Sequence, residues 1–567
     1  MRAMKLALLL VSIAVFAPPR DIRAQVRYAV RPLAADSLVH LRITVSGRGE
    51  PDGTTRFALP EDRFGVAQMW RWIRDVEAAP GTGLVARDSG VYELTHAPNA
   101  PVEVSYTVAY DPRSAGFLPF GPSIEGRYFH LFGSQWMARV GAAKGAHDVI
   151  RDVEVVLLRD GWEGAWASSF GLGAGPHRVR ASDYDLDYSV IAGGGYRTVR
   201  SDCRGRPILV AVHGEFGVSD GDIFDIAHRI ACGQREVFAD FDRPFFTIFV
   251  TEREDLEAGA PLLNGFTAFL ESTSSEEDLM ALLAHEMIHS WLPRSARLVE
   301  PDLPDAPESR TRWFHEGFTE YLSRLTLVEQ GLMPKSWMVE RTNDDLERLA
   351  YQPYRTLTLD EIEAAGREGK YSGIHHRLHY VRGALLALGW DARIRRASEG
   401  ERSIVDPLRL VVREAREGGG TIAFPALARI FERFGVDADG GVERHLESGV
   451  PLRPEPDAFG PAYELRTREV PAFDPGFNVL HWLSEGEVAG VTPGGAAHRA
   501  GLRAGMRIVG SRNAAPWIGR WDPSAPSVFV VERSGNGGEP EEVRFELPAG
   551  GAPIEVPVYV GVEPGPE

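Results

Sequence analysis

The segment LLAHEMIHSWL (282–292) contains two histidines four residues apart, with a glutamate directly after the first. On a helix, His285 and His289 lie one turn apart on one face, so both imidazoles can bind the same metal ion. The carboxylate of Glu286 can reach a metal-bound water, but it is not placed to be a third ligand of that ion. The spacing predicts a metal site with a general base beside it. An ordinary core helix remains the alternative when this motif is taken alone.

A catalytic zinc site needs a third protein ligand and one open position for water. The segment SRTRWFHEGFTEYLSRLTLVEQG (309–331) predicts a second helix, and Glu316 is the candidate ligand on it. Glu320, one turn later, is either the acceptor of a hydrogen bond from a ligating histidine or part of a solvated face. His315 points roughly 100° around the helix from Glu316, and we expect it to play no part in metal binding.

The helix that carries both histidines has recognisable ends. Ser275 is the predicted N-cap, with Asp278 three residues later, and Pro293 is expected to stop the helix. Between these ends, the helical period predicts one buried apolar stripe formed by Met280, Leu283, Ala284, Met287 and Trp291.

Hydrophobic periodicity divides the chain into three parts behind a leader. Residues 1–24 begin with two basic residues, followed by an apolar run too short to span a bilayer, which is typical of a secretory signal peptide. Residues 25–200 alternate apolar and polar side chains, which predicts an antiparallel β domain. Residues 201–455 have helical periodicity. A segment rich in proline and charge, from about 448 to 476, predicts a linker, so residues 456–567 comprise linker and a mostly β unit. We expect a multidomain α+β protein.

Charge and cysteine content narrow the partners and the compartment. Formal net charge is −18, and since residues 1–24 hold four basic and one acidic side chains, the rest of the chain carries −21. This excess disfavours nucleic acid and anionic lipid as partners. The leader, with no other apolar run of spanning length, predicts a periplasmic or secreted protein without stable membrane insertion. Cys203 and Cys232, the only cysteines, can pair in an oxidising compartment or stay as two free buried thiols.

The residues around the metal motif resemble a known family. HEMIHSW (285–291) followed by WFHEGFTEYL (313–322) is similar to the signature of the glycyl aminopeptidase family of thermolysin-like zinc metallopeptidases. The resemblance implies Zn²⁺ bound by His285, His289 and Glu316, with Glu286 as the base and a peptide or protein as substrate. It also implies an N-terminal β domain, a mainly helical thermolysin-like catalytic domain and a C-terminal PDZ domain.

Two further segments resemble the same family. YVRG (380–383) is similar to its Tyr-x-Lys-Gly segment, and it gives Tyr380 by position the role of hydrogen-bond donor to the oxyanion. A tyrosine packed between helices is the alternative. GVTPGGAAHRAGLRAGMRIVGSRN (490–513) resembles a PDZ signature, and PGFNVL (475–480) is then the loop expected to receive a peptide C-terminus beside a strand edge. A PDZ fold without a ligand is equally compatible.

The segment before the metal-binding helix departs from the family. Related aminopeptidases carry a glutamate there that binds the free substrate amine, and aligning NGFTAFLEST (264–273) places Ala268 at that position. Glu271, three residues later, points to the other face because strand side chains alternate. The edge of this strand can still hold an extended substrate backbone beside the metal. Three functions remain open: an aminopeptidase-like zinc peptidase, an endopeptidase on the same scaffold, and a non-catalytic PDZ peptide-binding protein. The intact Glu286 argues against the last.

Overall fold

The computed structural model describes residues 26–35, 38–61, 68–110, 120–141, 149–159, 162–254, 256–300, 310–367, 374–534, 540–548 and 550–562. The predicted signal peptide, residues 1–24, lies outside the described residues. Within the described ranges, every helix is too short or too polar to cross a bilayer.

The N-terminal part consists of packed β-sheets. Its strands are β1 (Val26–Ala35), β2 (Leu38–Arg48), β3 (Thr54–Ala58), β4 (Ile73–Ala78), β5 (Gly83–Asp88), β6 (Val91–Thr95), β7 (Pro101–Val108), β8 (Ser123–Glu125), β9 (Tyr128–Phe132), β10 (Arg139–Val140), β11 (Ile150–Leu157), β12 (Ala165–Ser168), β13 (His177–Ser182) and β14 (Val190–Gly194). The sheet orders are β13-β11-β1-β2-β7-β4, β10-β3-β6-β5 and β12-β14-β9-β8. All neighbours are antiparallel except β1 and β11. Strand β2 is buried at every second residue from Val39 to Val45, so one face meets the core, as the alternation predicts.

The second part combines helices with a five-stranded sheet. Its strands are β15 (Arg197–Cys203), β16 (Arg206–His213), β17 (Phe246–Glu252), β18 (Ala258–Leu262), β19 (Gly265–Leu270), β20 (Arg297–Val299) and β21 (Thr421–Ala423). Helices α1 (Gly133–Trp136) and α2 (Asp183–Asp187) precede it, and its own helices are α3 (Asp220–Val237), α4 (Glu276–Ile288), α5 (Thr319–Glu329), α6 (Lys335–Tyr351), α7 (Leu359–Arg367), α8 (Ile374–Ala397), α9 (Val405–Glu417), α10 (Phe424–Glu432) and α11 (Ala438–Val442). A disulfide between Cys203 and Cys232 joins β15 to α3. The predicted multidomain α+β architecture, with an N-terminal antiparallel sheet domain and a helical domain, is confirmed.

The strand that contains Ala268 lies inside the five-stranded sheet, whose order is β15-β16-β17-β19-β18. Ala268 of β19 stands opposite Val250 of β17 on one side and Gly259 of β18 on the other, and it is fully buried. The prediction that this strand offers its edge to a substrate is wrong, because β18 pairs with that edge. The last strand on this side of the sheet is β18, which runs antiparallel to β19.

The C-terminal part contains two small sheets and two short helices. Its elements are β22 (Tyr463–Pro471), α12 (Val479–Glu485), α13 (Ala496–Ala500), β23 (Arg507–Arg512), β24 (Ser527–Ser534), β25 (Pro540–Leu547) and β26 (Pro553–Gly561). Strand β22 pairs with β26, and β23, β24 and β25 form a second sheet. Residues 475–480 themselves form no strand, because the Asn478 side chain accepts the N–H of His481 and starts helix α12.

The C-terminal part packs against helix α6. The Asn343 side chain on α6 donates to the Tyr559 carbonyl of β26 (2.9 Å) and accepts the Tyr559 N–H (2.8 Å). Val470, Val556 and Tyr559 are buried in the same hydrophobic core as the helices of the second part. Strands β22 and β26 therefore share a hydrophobic core with the helical domain.

Candidate active site

Helix α4 presents the two histidines of the metal motif. It begins as predicted, since the Ser275 hydroxyl accepts the N–H of Asp278 and the Asp278 carboxylate accepts the N–H of Ser275. The helix ends at Ile288, before Pro293, and His289 is its C-cap residue with φ −59° and ψ −13°. That backbone is still helical, so the rings of His285 and His289 project together, with centroids 4.8 Å apart.

Glu316 lies in a π-helical turn, Trp313–Phe318, that continues directly into α5. Such turns are rare in proteins, and those that occur are often found at functional sites. The next residue, Gly317, packs against Gly383 of α8, and a Cβ on Gly317 would come 2.4 Å from the Gly383 Cα. Because both residues are glycines, the π-helical turn and α8 approach closely enough to bring Tyr380 beside Glu316.

Three possible ligand atoms converge between α4 and the π-helical turn. Glu316 Oε2 lies 3.4 Å from His285 Nε2 and 3.5 Å from His289 Nε2. One atom from each of these residues lies within 4.8 Å of the other two, and no other group of this kind occurs in the described part of the chain. The structure thus brings together the three residues that the sequence proposed as ligands.

Hydrogen bonds determine which nitrogen of each histidine faces Glu316. His285 Nδ1 donates to Glu320 Oε2 (3.1 Å), and His289 Nδ1 donates to the Leu292 carbonyl (2.7 Å). A carboxylate and a carbonyl only accept, so both Nδ1 atoms carry hydrogen and both Nε2 atoms remain for a metal. Metal-ligating histidines are oriented in this way by their other nitrogen. Glu320 therefore contacts a histidine of the motif and is not part of a solvated face.

Buried carboxylate oxygens beside the histidines require positive charge. Glu286 Oε2 and Glu316 Oε2 are buried and accept no hydrogen bond from the described residues. Burying carboxylate oxygens without a partner is unfavourable unless a cation lies nearby. Two imidazole nitrogens and one carboxylate oxygen are ligands that zinc prefers, and they leave a position for water. The residues present fit a zinc ion.

The pKa values of these groups follow from the same contacts. Burial alone would lower the pKa of His285, but the neighbouring carboxylates of Glu316 and Glu320 raise it to about 10. For Glu316, burial acts in the opposite direction and favours a higher pKa. His289 and His285 nevertheless hold that pKa well below its ordinary value. Burial raises the pKa of Glu286. A carboxyl group with a raised pKa suits general-base catalysis, because it binds a proton more readily.

Strand β18 packs against the Glu286 side chain at Gly259. An added Cβ on Gly259 would lie 2.3 Å from both Cγ and Cδ of Glu286. The Glu286 side chain therefore occupies the space that a side chain at position 259 would need. Sequence reasoning did not identify Gly259, whose only signal is a glycine within the short run AGAPLL (258–263).

Tyr380 of α8 lies on the other side of the histidines. Its ring is nearly parallel to that of His285 (interplanar angle 13°, centroids 6.0 Å apart), and its hydroxyl hydrogen-bonds with Glu316. Burial and the charge of Glu316 raise the pKa of Tyr380, so the phenol keeps its proton and can donate it in a hydrogen bond. Arg382, where lysine was expected, is buried and donates to the carbonyls of Leu357 (2.6 Å) and His445.

His315, adjacent to Glu316 in sequence, has a different use. Its Nε2 accepts the N–H of Leu298 (2.9 Å), and burial lowers its pKa to about 3. It is therefore a neutral acceptor in the core, apart from the group formed by His285, His289 and Glu316.

Comparisons with known proteins find one family match, over the segment with the metal motif, and solved structures with a similar fold. Residues 278–373 match the model of the M61 glycyl aminopeptidase family, and this range includes both motif histidines and Glu316. No curated protein matches the chain in sequence. Among solved structures, an aminopeptidase N family protein from Idiomarina loihiensis is 14% identical over 95% of this chain and 98% of its own, with a TM-score of 0.67. The fold as a whole is similar to that protein, and the segment with the metal motif is similar to glycyl aminopeptidases.

An M1 zinc metallopeptidase from Deinococcus radiodurans is also similar. It is 15% identical over 76% of this chain and 94% of its own, with a TM-score of 0.46. A mutant of an M1 zinc metallopeptidase from the same organism, bound to a Tyr-Ser-Ala substrate, gives the same identity and TM-score and is covered over 95% of its length.

Proposed function

We propose that the chain is a zinc-dependent peptidase, periplasmic or secreted, that hydrolyses peptide bonds on an aminopeptidase-like scaffold. The observation that carries this proposal is the convergence of His285, His289 and Glu316 beside a buried Glu286 oxygen that accepts no hydrogen bond from the described residues. The family match over residues 278–373 supports it. The three converging residues would hold the zinc, which when bound acidifies a water molecule and polarises the scissile carbonyl.

The remaining groups then have distinct roles. Glu286 takes a proton from the attacking water and delivers it to the leaving amine, for which its raised pKa is suited. Tyr380 donates a hydrogen bond to the oxyanion. Strand β18, the last strand of the sheet and in contact with Glu286, pairs with an extended substrate backbone. In this proposal the C-terminal part is a PDZ-like unit packed on α6.

An endopeptidase is the second candidate, and strand β18 favours it. Ala268 is buried in β19, and β18 pairs with that strand on the outer side, so a carboxylate that binds the substrate amine is to be sought on β18 itself. Its sequence, AGAPL (258–262), has no acidic side chain. A free substrate amine therefore meets no fixed negative charge on this strand. Blocking the N-terminus should then cost the substrate little binding free energy there.

The test compares matched peptides of several residues with free and acetylated N-termini. We expect both to be cleaved, with kcat/KM values within about tenfold of each other, and a zinc chelator to stop both reactions. A charge-assisted hydrogen bond to the amine would contribute roughly 1.5 to 3 kcal/mol, or about ten- to a hundredfold in kcat/KM. A hundredfold preference for the free amine would contradict the endopeptidase, and Glu257, directly before β18, would be the first acid to replace. Zinc binding without any cleavage would favour a peptide-binding protein.

Gly259→Ala tests the contact between β18 and the base. The added methyl group overlaps the Glu286 side chain, and a displacement of about 1 Å at a catalytic group is enough to lower kcat by about 10²-fold. Zinc content should not change, because the ligands lie on other elements. Gly221→Ala in the first turn of α3 is the control, since its added Cβ has no neighbour closer than 3.7 Å. A normal kcat in Gly259→Ala would show that the position of Glu286 does not depend on this strand.

A further inference from the structure

A chain of buried charged side chains extends from His285 away from the metal site. Glu320 accepts the His285 Nδ1–H with Oε2 and a hydrogen bond from Arg324 Nη2 with Oε1 (2.5 Å). Arg324 Nη1 donates to Asp345 Oδ2 (2.6 Å). The side chains of Glu320, Arg324 and Asp345 are 27, 11 and 5% exposed. The chain therefore links helices α4, α5 and α6 through the protein interior.

Arg324 can serve both carboxylates because its guanidinium group is planar and carries several donors. One terminal nitrogen reaches Glu320, and the other reaches Asp345. A lysine at this position has a single ammonium group and cannot reproduce this bridge. Removing one member of a buried charge chain leaves the next without compensation, and this is costly in the interior.

Helix α6 stabilises α4 at a second point. Glu277, in the first turn of α4, accepts hydrogen bonds from Trp337 Nε1 (2.8 Å) and Arg341 Nη2 (2.5 Å), both on α6. The same helix carries Asp345. Helix α6 is thus connected both to the start of α4 and, through Arg324 and Glu320, to His285.

We infer that Arg324 and Asp345 are positioning residues of the metal site. Arg324 holds the Glu320 carboxylate where it fixes the His285 ring with Nε2 toward Glu316, and Asp345 holds Arg324. Both act through Glu320, and neither is a ligand. The inference rests on the proposed zinc site.

The test measures zinc affinity by competition with a chromogenic chelator, together with the absorption spectrum of the Co²⁺-substituted protein. Losing an outer-shell partner of a ligand typically weakens metal binding about 10- to 100-fold, and we expect a rise of this size in the zinc Kd of Arg324→Gln. Arg324→Lys should recover part of the affinity because it keeps the charge. Asp345→Asn should raise the Kd less than Arg324→Gln does, and the Co²⁺ spectrum should change in each variant that loses affinity.

Arg151→Gln is the matched control. It breaks a buried arginine–aspartate pair of similar exposure in the N-terminal part, where Arg151 Nε lies 2.6 Å from Asp183 Oδ1. This variant should lose thermal stability and keep the zinc Kd of the unaltered protein. If Arg324→Gln folds and its zinc Kd is unchanged, the inference is overturned. If Arg324→Gln does not fold, unchanged zinc Kd values in both Arg324→Lys and Asp345→Asn would overturn it. An unaltered chain that binds no zinc would instead overturn the proposed function.

Discussion

Glu286→Gln is expected to lower kcat by about 10² to 10⁴-fold, the usual contribution of a general acid–base, while the protein keeps its fold and its zinc. Glutamine fills the same space beside Gly259, so the packing against β18 is retained. Its amide cannot accept the proton of the attacking water, so the chemical step loses its base. Steady-state hydrolysis together with zinc content per chain measures both halves of the expectation.

Glu276→Gln provides the control for this loss. Glu276 is exposed in the first turn of the same helix, so the same chemical change there should leave kcat close to that of the unaltered protein. If Glu286→Gln kept more than a tenth of the normal kcat, the proton transfer would belong to another group.

Glu316→Ala is expected to empty the metal site and abolish hydrolysis. Two histidines alone cannot complete the three-ligand site of a catalytic zinc, and the substitution also removes the carboxylate that Tyr380 contacts. His285→Ala should have the same effect. The measurement is zinc content after dialysis, for which we expect about one zinc per chain in the unaltered protein.

His315→Gln is the control that distinguishes the loss of a metal ligand from a general loss of stability in this segment. His315 is adjacent to Glu316 and buried, but it accepts a backbone N–H and does not face the other ligand atoms. This variant should lose stability and keep its zinc. Full zinc occupancy in Glu316→Ala would show that the wrong carboxylate has been assigned.

Local spacing is sufficient to predict the core of the site. The helical period puts His285 and His289 on one face, and the cap at Ser275 gives the start of their helix, so both features follow from a few neighbouring residues. Glu316 and Glu320 are also one turn apart in sequence. The sequence does not indicate that a π-helical turn carries Glu316, because no residue type in WFHEGF specifies one.

Strand pairing was harder to predict because it depends on residues distant in sequence. Alternation correctly predicts that successive side chains of β19 point to opposite faces, but it cannot tell which strand pairs with each edge. The alignment therefore places Ala268 beside the substrate, whereas in the structure β18 pairs with the strand that contains it. The central strands β16, β17 and β19 are largely buried on both faces, and such apolar runs resemble a buried helix in sequence. For this reason the sequence does not reveal the five-stranded sheet.

The packing of β26 on α6 determines whether the C-terminal part can be removed without disturbing the helical domain. Val470, Val556 and Tyr559 belong to the same core as the helices, and α6 also supports the residues behind His285. Elements that share one core gain and lose their packing together, so the last strand and the helical domain should unfold as one cooperative unit. A chain shortened at residue 455 would expose apolar surface on α6, which is the helix that orients the metal site. The two parts are therefore not exchangeable modules, although the sequence predicts a linker between them; strand β22 lies within that predicted linker and pairs with β26.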